Sequence, residues 1–367
     1  MRNGYGGRSR WLALPRMIGL RRSAVAALGA TALLAVTAGT AAAHTTEVSR
    51  ARTAHVAFSY SEVNALACPS TKQCTAITPA GKQVTFNPTH AGKVTSVKLF
   101  SNTLDEAFAL DCASVHLCVA ADSAGDVVGF NPRATTKPKY TATLQGASYQ
   151  TGVSCPSKSL CVLDSYQAEG YLNPAKGSSL VSNSFSANQN GADPTLTCLS
   201  TTFCLGSNGI SGIVYTFNPR SPASAKTTTL TSTPAVGQIR CPTSTQCTAL
   251  AAYHDGYGLG MMTFAPHKIG TKPKVHGVSD SSMGDIACAS KTYCIGGGYD
   301  YGVYVYDTKT HKHKFAALTY DGPQTVAALA CPSKSVCVVI YADGKKSVFN
   351  PAKPPKKLKV VALKKAA

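Results

Sequence analysis

An all-β chain of seven four-stranded units, each carrying one disulfide, is the fold class this sequence predicts, and three observations lead to it. The fourteen cysteines fall into seven pairs with five residues between partners: Cys68 with Cys74, Cys112 with Cys118, Cys155 with Cys161, Cys198 with Cys204, Cys241 with Cys247, Cys288 with Cys294 and Cys331 with Cys337. The first members recur at intervals of 44, 43, 43, 43, 47 and 43 residues, a repeat period that marks arrays of small supersecondary units. The text around the pairs recurs as well: Ala65-Leu66-Ala67-Cys68-Pro69 opens the first unit and Ala328-Leu329-Ala330-Cys331-Pro332 the last. A corner of the form Phe-Asn-Pro follows in most units, at Asn87-Pro88, Asn131-Pro132, Asn173-Pro174, Asn218-Pro219 and Asn350-Pro351. The fifth unit has Ala265-Pro266 and the sixth departs to Asp307-Thr308.

Turn residues divide each unit into four short strands, labelled A to D in chain order. Strand A ends at the first cysteine, B begins at the second, C ends in the Asn-Pro corner, and D is a run such as Lys93 to Phe100. Cysteines facing each other at the mouth of an A–B hairpin sit at a cross-strand spacing that a disulfide bridges. Zinc sites favour closer pairs combined with further ligands, so no metal is expected at these cysteines. Two residues before each first cysteine stand Leu66, Leu110, Val153, Leu196, Ile239, Ile286 and Leu329, the aliphatic face that a buried strand requires. The intervening position is mostly small, with Asp111 and Arg240 as exceptions. Those two, with Asp285, are the candidate polar residues of a central channel; a structural polar contact is the commoner role for such isolated exceptions.

Seven four-stranded units of this period resemble a seven-bladed β-propeller, and the resemblance covers residues 55–363. Cysteine-paired, Asn-Pro-punctuated repeats behind an alanine-rich leader resemble secreted bacterial propeller proteins that generally lack an assigned activity. That resemblance specifies architecture and says little about chemistry. WD40 repeats carry Gly-His and Trp-Asp in each unit, whereas the only tryptophan here is Trp11. The Asp-box of sialidase-type propellers is matched only in its turn portion, at Asp122-Ser123-Ala124-Gly125 and Asp343-Gly344. Propeller lyases and lactonases bring His and carboxylate groups together at one end of the channel. His254, Asp255 and Asp285 are the residues that would do so here, with a solvated hairpin tip as the plainer reading of His254-Asp255. His311-Lys312-His313 lies among lysines that repel cations, and reads as a basic surface loop. No paired catalytic carboxylate, Ser-His-Asp order or phosphate-cradling loop stands out, and no cofactor is expected.

The N-terminus reads as an address. Six arginines and no acid precede His44, an apolar alanine-rich run covers Ser23 to Ala38, and Ala41-Ala42-Ala43 supplies a small-residue cleavage site. This predicts a secretory signal over residues 1–43, with initiation at Met1 or Met17, followed by a linker over 44–54. Membrane anchoring is expected only if the signal stays uncleaved. The propeller then occupies 55–363 and a short tail 364–367. Two runs compete for one vacant outer place in the ring, His55 to Tyr60 and Lys357 to Leu363. The connection through Glu62 to Asn64 favours the N-terminal run, leaving the C-terminal one as a fifth strand or a basic tail.

Lysine and arginine exceed aspartate and glutamate by 36 to 17 over the whole chain. In an up-and-down unit the A–B and C–D connections share one end of the ring, and the B–C and D–A connections share the other. Fourteen of the seventeen acids fall on the second set, and twenty-one of the basic residues on the first. Lys268, Lys272, Lys274, Lys309, Lys312 and Lys314 are the candidate face for an anionic partner. Export removes nucleic acid as the expected partner, which leaves an anionic cell-wall polymer, an acidic polysaccharide or lipid headgroups. The sequence thus predicts a secreted or cell-envelope-associated, non-catalytic binding or scaffold protein. The alternative is a propeller lyase or hydrolase working at the acidic end of the channel.

Overall fold

A computed structural model of the chain describes residues 65–363, apart from several connections between strands, chiefly 101–107, 148–151, 184–194, 231–234, 254–257, 270–272, 280–282, 299–301 and 319–324. It is an all-β, seven-bladed propeller. Seven antiparallel sheets follow one another in chain order, each with its strands in the sequence A-B-C-D. The inner strands are Ala65–Ser70, Phe108–Ser114, Gly152–Ser157, Thr195–Ser200, Val236–Thr243, Met283–Cys288 and Val326–Ser333. Each touches the next and the last touches the first, so the ring closes around an axis lined by strand A of every blade.

Each blade is punctuated the same way, for local chemical reasons. All seven disulfides form within blades, with Cα–Cα separations of 3.9–4.1 Å, and no described cysteine is free. Cys112 and Cys118, Cys198 and Cys204, and Cys288 and Cys294 stand directly opposite each other in the A–B register. Except in the sixth blade, strand A runs on past its cysteine. It then ends at a hydroxyl residue two positions later that caps the turn. Ser70 Oγ accepts the N–H of Lys72 at 3.3 Å, and Ser114, Ser157, Ser200, Ser290 and Ser333 act alike on the residue two further on. At the C–D corner the Asn side chain accepts the N–H two residues on, at 2.9–3.1 Å in five blades. Asp307 makes the same bond to Lys309 at 2.9 Å, which explains how the sixth blade tolerates its departure from Asn-Pro. In the B–C turns Gly81, Gly125 and Gly344 have φ of 66°, 90° and 75°, the left-handed region open to glycine.

The core is not one mass but seven wedges, one in each seam between neighbouring blades, among the described residues. The two cysteines of a bridge have different surroundings. The second members, Cys74, Cys118, Cys161, Cys204, Cys247, Cys294 and Cys337, are all 0% exposed and each belongs to one wedge. The first members, Cys68, Cys112, Cys198, Cys241, Cys288 and Cys331, are half-buried, and Cys155 is buried at 9% exposure. The reason is position in the sheet: strand B is flanked by A and C, whereas strand A is the sheet's inner edge and faces the axis. Ring closure depends on the wedge joining Cys74, Ala76, Val84, Phe86 and Val94 of the first blade to Ala328, Val338, Ile340 and Leu363 at the end of the chain.

The outer strand of the seventh blade comes from the C-terminus, which corrects the expectation that an N-terminal strand would close it. Val361–Ala362 pairs antiparallel with the third strand, Ala362 opposite Lys345 and Val361 opposite Lys346. Lys357–Leu358 adds a parallel fifth strand to the sixth blade. Residues 55–60 lie outside the described residues. The physical reason is that two leucines in this lysine-rich run point into different seams. Leu358 is 1% exposed between the sixth and seventh blades, and Leu363 is 5% exposed between the seventh and first. Burying both contributes on the order of 4 kcal/mol. Deletion of residues 353–367 is therefore expected to lower the melting temperature by roughly 10 °C or to prevent folding. Calorimetry of the truncated chain checks this, and an unchanged melting temperature would return the outer place to the N-terminal run.

Candidate functional site

Around the axis, the polar exceptions on strand A are tied to the backbone of the following blade. Asp111 accepts the N–H of Cys112 on one carboxylate oxygen and that of Cys155, in the next blade, on the other, both at 2.7 Å. Ser154 accepts from Cys198 at 2.9 Å, and Thr197 donates to the carbonyl of Ile239 at 2.8 Å. Gln238 donates to the carbonyl of Gly284 at 3.1 Å, and Asp285 accepts from Leu329 at 2.7 Å. From the second blade to the sixth, a side chain on each inner strand thus bonds the backbone of its successor. Strand A of one blade cannot pair with the next as a sheet would, so these side chains satisfy backbone groups that the wedge geometry leaves over.

Arg240 is the cation of this wall. Its Nη2 lies 3.6 Å from Asp285 Oδ1 and donates to Gln238 Oε1 at 3.1 Å, while Nη1 donates to the carbonyl of Ile239 at 3.1 Å. Burial pushes the Asp285 carboxyl above the usual range, and the Arg240 charge and two backbone N–H groups pull it back. Asp111 is likewise pushed up by burial and held down by its two N–H donors, with Arg240 adding a smaller pull across the channel. The three candidate channel residues are therefore within one electrostatic neighbourhood. Each oxygen of these two carboxylates accepts one backbone N–H, and for each residue one of the two donors belongs to the next blade. The arrangement serves to hold blades in register.

The two loop sets differ sharply. Of the twenty-one basic residues assigned to the A–B and C–D end, Lys93, Lys137 and Lys272 lie outside the described residues and the other eighteen are all exposed. Lys268, Lys274, Lys309, Lys312 and Lys314 are among them, gathered on the fifth and sixth blades. His276 and His311 stack face to face between those blades, with centroids 3.9 Å apart, and His311 Nδ1 is 2.8 Å from the Tyr306 hydroxyl. The His311-Lys312-His313 stretch is thus an exposed basic corner anchored through His311. Among the described residues no group of three or more His, Cys, Asp or Glu side chains is placed to hold a metal.

At the opposite end six of the fourteen acids are described, three of them buried, two half-buried and Asp126 exposed. His254 and Asp255 lie outside the described residues, as do several of the other acids. Of those described, Asp122, Asp164 and Glu169 are only 1–2% exposed. Asp122 caps its hairpin by accepting the N–H of Asp126 at 2.7 Å. Asp164 and Glu169 form a buried carboxyl pair, directly opposite each other across the B–C hairpin of the third blade. The Tyr215 hydroxyl, from the fourth blade, donates to Asp164, and the Tyr171 hydroxyl donates to Glu169. The second Glu169 oxygen is buried without a hydrogen-bond partner among the described residues. Burial raises both acids, Glu169 to about 7 and Asp164 well above its ordinary value, with the neighbouring Glu169 charge adding to the latter. A signal for the pair does exist in the sequence. Three residues after the second cysteine the repeats read Ile77, Ala121, Asp164, Ser207, Leu250, Gly297 and Ile340. Their C-strand partners are Gln83, Val127, Glu169, Val214, Met261, Val303 and Lys346. Only the third blade puts acids in both columns.

Fold and wall geometry together define the class: a seven-bladed β-propeller with one cross-strand disulfide per blade and polar inter-blade latches around its axis. The chain is similar in structure to the WD40 β-propeller domain of Doa1, with a TM-score of 0.61 at 11% identity, covering 79% of this chain and 92% of that one. The RRP9 WD40 repeats match with a TM-score of 0.60 at 13% identity, covering 76% and 87%. U3-55K matches at 0.60 and 12%, covering 76% and 88%. At such identities the likeness is one of fold alone. No protein-family model and no curated protein sequence matches the chain.

Proposed function

We propose that this propeller is a non-catalytic binding or scaffold protein, exported to the cell envelope or beyond, whose basic end engages an anionic envelope component. The single observation that carries the reading is the exposure of eighteen lysine and arginine side chains, fifteen of them on the A–B and C–D connections and Lys226, Lys314 and Lys357 within strands. Seven disulfides are consistent with an oxidising, extracytoplasmic location, and the arginine-led apolar N-terminus supports export. Wall phosphate polymers, acidic polysaccharides and anionic lipid headgroups share the required chemistry. Lysines on mobile side chains attract such partners at long range, so binding is weakly selective and falls as salt shortens the Debye length to about 8 Å near physiological strength. The alternative of a lyase or hydrolase at the acidic end draws no support from the described groups, because Asp285 is committed to backbone donors and Asp164 and Glu169 are buried.

Replacing Lys268, Lys272, Lys274, Lys309, Lys312 and Lys314 by Gln tests the proposal. Near an anionic surface each lysine contributes up to about 1 kcal/mol, so retention on purified anionic wall material is expected to weaken by more than about tenfold. The melting temperature should stay nearly constant, since the five described members are exposed. Retention that ignores both the substitutions and added salt would reject the basic face as a binding surface.

A further inference from the structure

The closing seam between the seventh and first blades holds a cavity of about 380 Å³, and a buried lysine stands in its wall. Lys346 occupies the C-strand column that is Val127, Val214, Met261 and Val303 in four other blades. It is only 6% exposed. Its ammonium donates to the carbonyls of Asn87 at 3.1 Å and Pro88 at 2.8 Å, and lies 5.2 Å from the centroid of the Phe86 ring. An ammonium has three N–H donors, and those two carbonyls take two of them. Phe86, Val94, Val348 and Leu363 make the remaining wall largely apolar, and the exposed Lys359 and His90 flank the opening. No acid lines the cavity among the described residues.

We propose that this cleft binds a small organic monoanion with an apolar body, such as a medium-chain or aryl carboxylate, its head group on the third Lys346 donor and its body against the valines and Phe86. The volume falls within the range of small-molecule sites, and apolar walls with few convergent polar groups are their usual composition. A monoanionic carboxylate fits better than a phosphate, because a phosphate dianion calls for several donors or an arginine fork, and the lining supplies neither an arginine nor a helix N-terminus. Burial also draws the Lys346 ammonium down to about 8, and a bound carboxylate would compensate that lost hydration. The site differs from the basic face of the fifth and sixth blades in residues and in ligand size, so it stands or falls apart from the function proposed above.

Calorimetric titration of the intact chain with decanoate, below its micellar concentration, tests the assignment against 1-decanol as the neutral control. One decanoate is expected per chain, with decanol bound more than about tenfold more weakly, the fold-change a charge-assisted hydrogen bond provides. Lys346→Met should lower decanoate affinity by a similar factor, leave decanol affinity unchanged, and leave retention on anionic wall material as in the parent. Equal affinity for the acid and the alcohol, or decanoate binding indifferent to Lys346→Met, overturns the proposal. Should that variant fail to fold, Lys359→Glu and His90→Glu at the exposed mouth carry the test. Each is expected to weaken decanoate several-fold, and unchanged affinity in both overturns the proposal equally.

Discussion

Reducing the seven disulfides is expected to unfold the ring at ambient temperature, with all fourteen thiols becoming titratable together. Each bridge closes a loop of about seven residues, and in the chain-entropy account that restricts the unfolded chain by roughly 2 kcal/mol. The seven loops do not overlap and lie in different blades, so their contributions add approximately. Their sum, on the order of 15 kcal/mol, equals the whole stability of an ordinary domain. The blades have little else to spare: the cores are narrow seams, and the second cysteine of each pair is itself part of one. Circular dichroism before and after reduction, with thiol counts under native conditions, makes the comparison. A reduced protein that keeps its native spectrum and melting temperature would show that the sulfurs act only as packing groups. Removing one bridge, with Cys331→Ala and Cys337→Ala together, should be milder, losing about 2 kcal/mol plus the cost of the small cavity left where Cys337 is buried.

The same cysteines explain why the fold is legible in the sequence. A disulfide at the mouth of every A–B hairpin fixes the register of two strands, and the Asn or Asp at six of the seven C–D corners fixes where the third ends. Local chemistry therefore announces three strand boundaries per blade. What local chemistry does not announce is contact between blades. Asp111 stands out in the inner-strand column, but its partner is the backbone N–H of Cys155, and a backbone donor has no letter in the sequence. Arg240 likewise marks itself as an exception without revealing that it reaches Asp285 in the next blade. The burial of Cys118 or Cys204 beside a half-buried partner is hidden for the same reason, since it depends on which neighbouring blade covers strand B. Ring closure misleads in a related way. Four lysines crowd residues 353–359, while the two leucines that decide the matter enter separate seams, so the text shows no single apolar face. The acidic end misleads when acids are sorted by connection rather than by column, because Asp164 and Glu169, at the ends of strands, are buried there.

Lowering the pH from 8 to 5 is expected to stabilise this protein, and Glu169→Gln is expected to remove much of that dependence. Asp164 and Glu169 face each other at 2% and 1% exposure, and neither takes part in a salt bridge among the described residues. Two adjacent buried carboxylates without a cation cannot both ionise cheaply. Burial accordingly raises Glu169 to about 7 from an ordinary value of 4.5, and Asp164 well above its own. An acid whose native pKa exceeds its unfolded one holds its proton more tightly in the folded state. Its stabilisation is complete below the unfolded value and is lost as pH rises through the native value, here between about 4.5 and about 7. At 1.36 kcal/mol per unit, Glu169 alone accounts for about 3 kcal/mol across that window. Asp111 and Asp285, also raised by burial, act in the same direction, whereas His276, lowered by burial and by His311 and Lys274, acts in the opposite one at the acid end. The difference between parent and Glu169→Gln isolates the pair from these. Gln keeps the shape and an acceptor for the Tyr171 hydroxyl but cannot ionise, so the variant should melt higher than the parent at pH 8 and nearly level with it at pH 5. A parent that melts highest at pH 8, or a variant with the parent's slope, would mean that a cation or water neutralises the pair, and that burial does not favour the protonated carboxyls in the folded state.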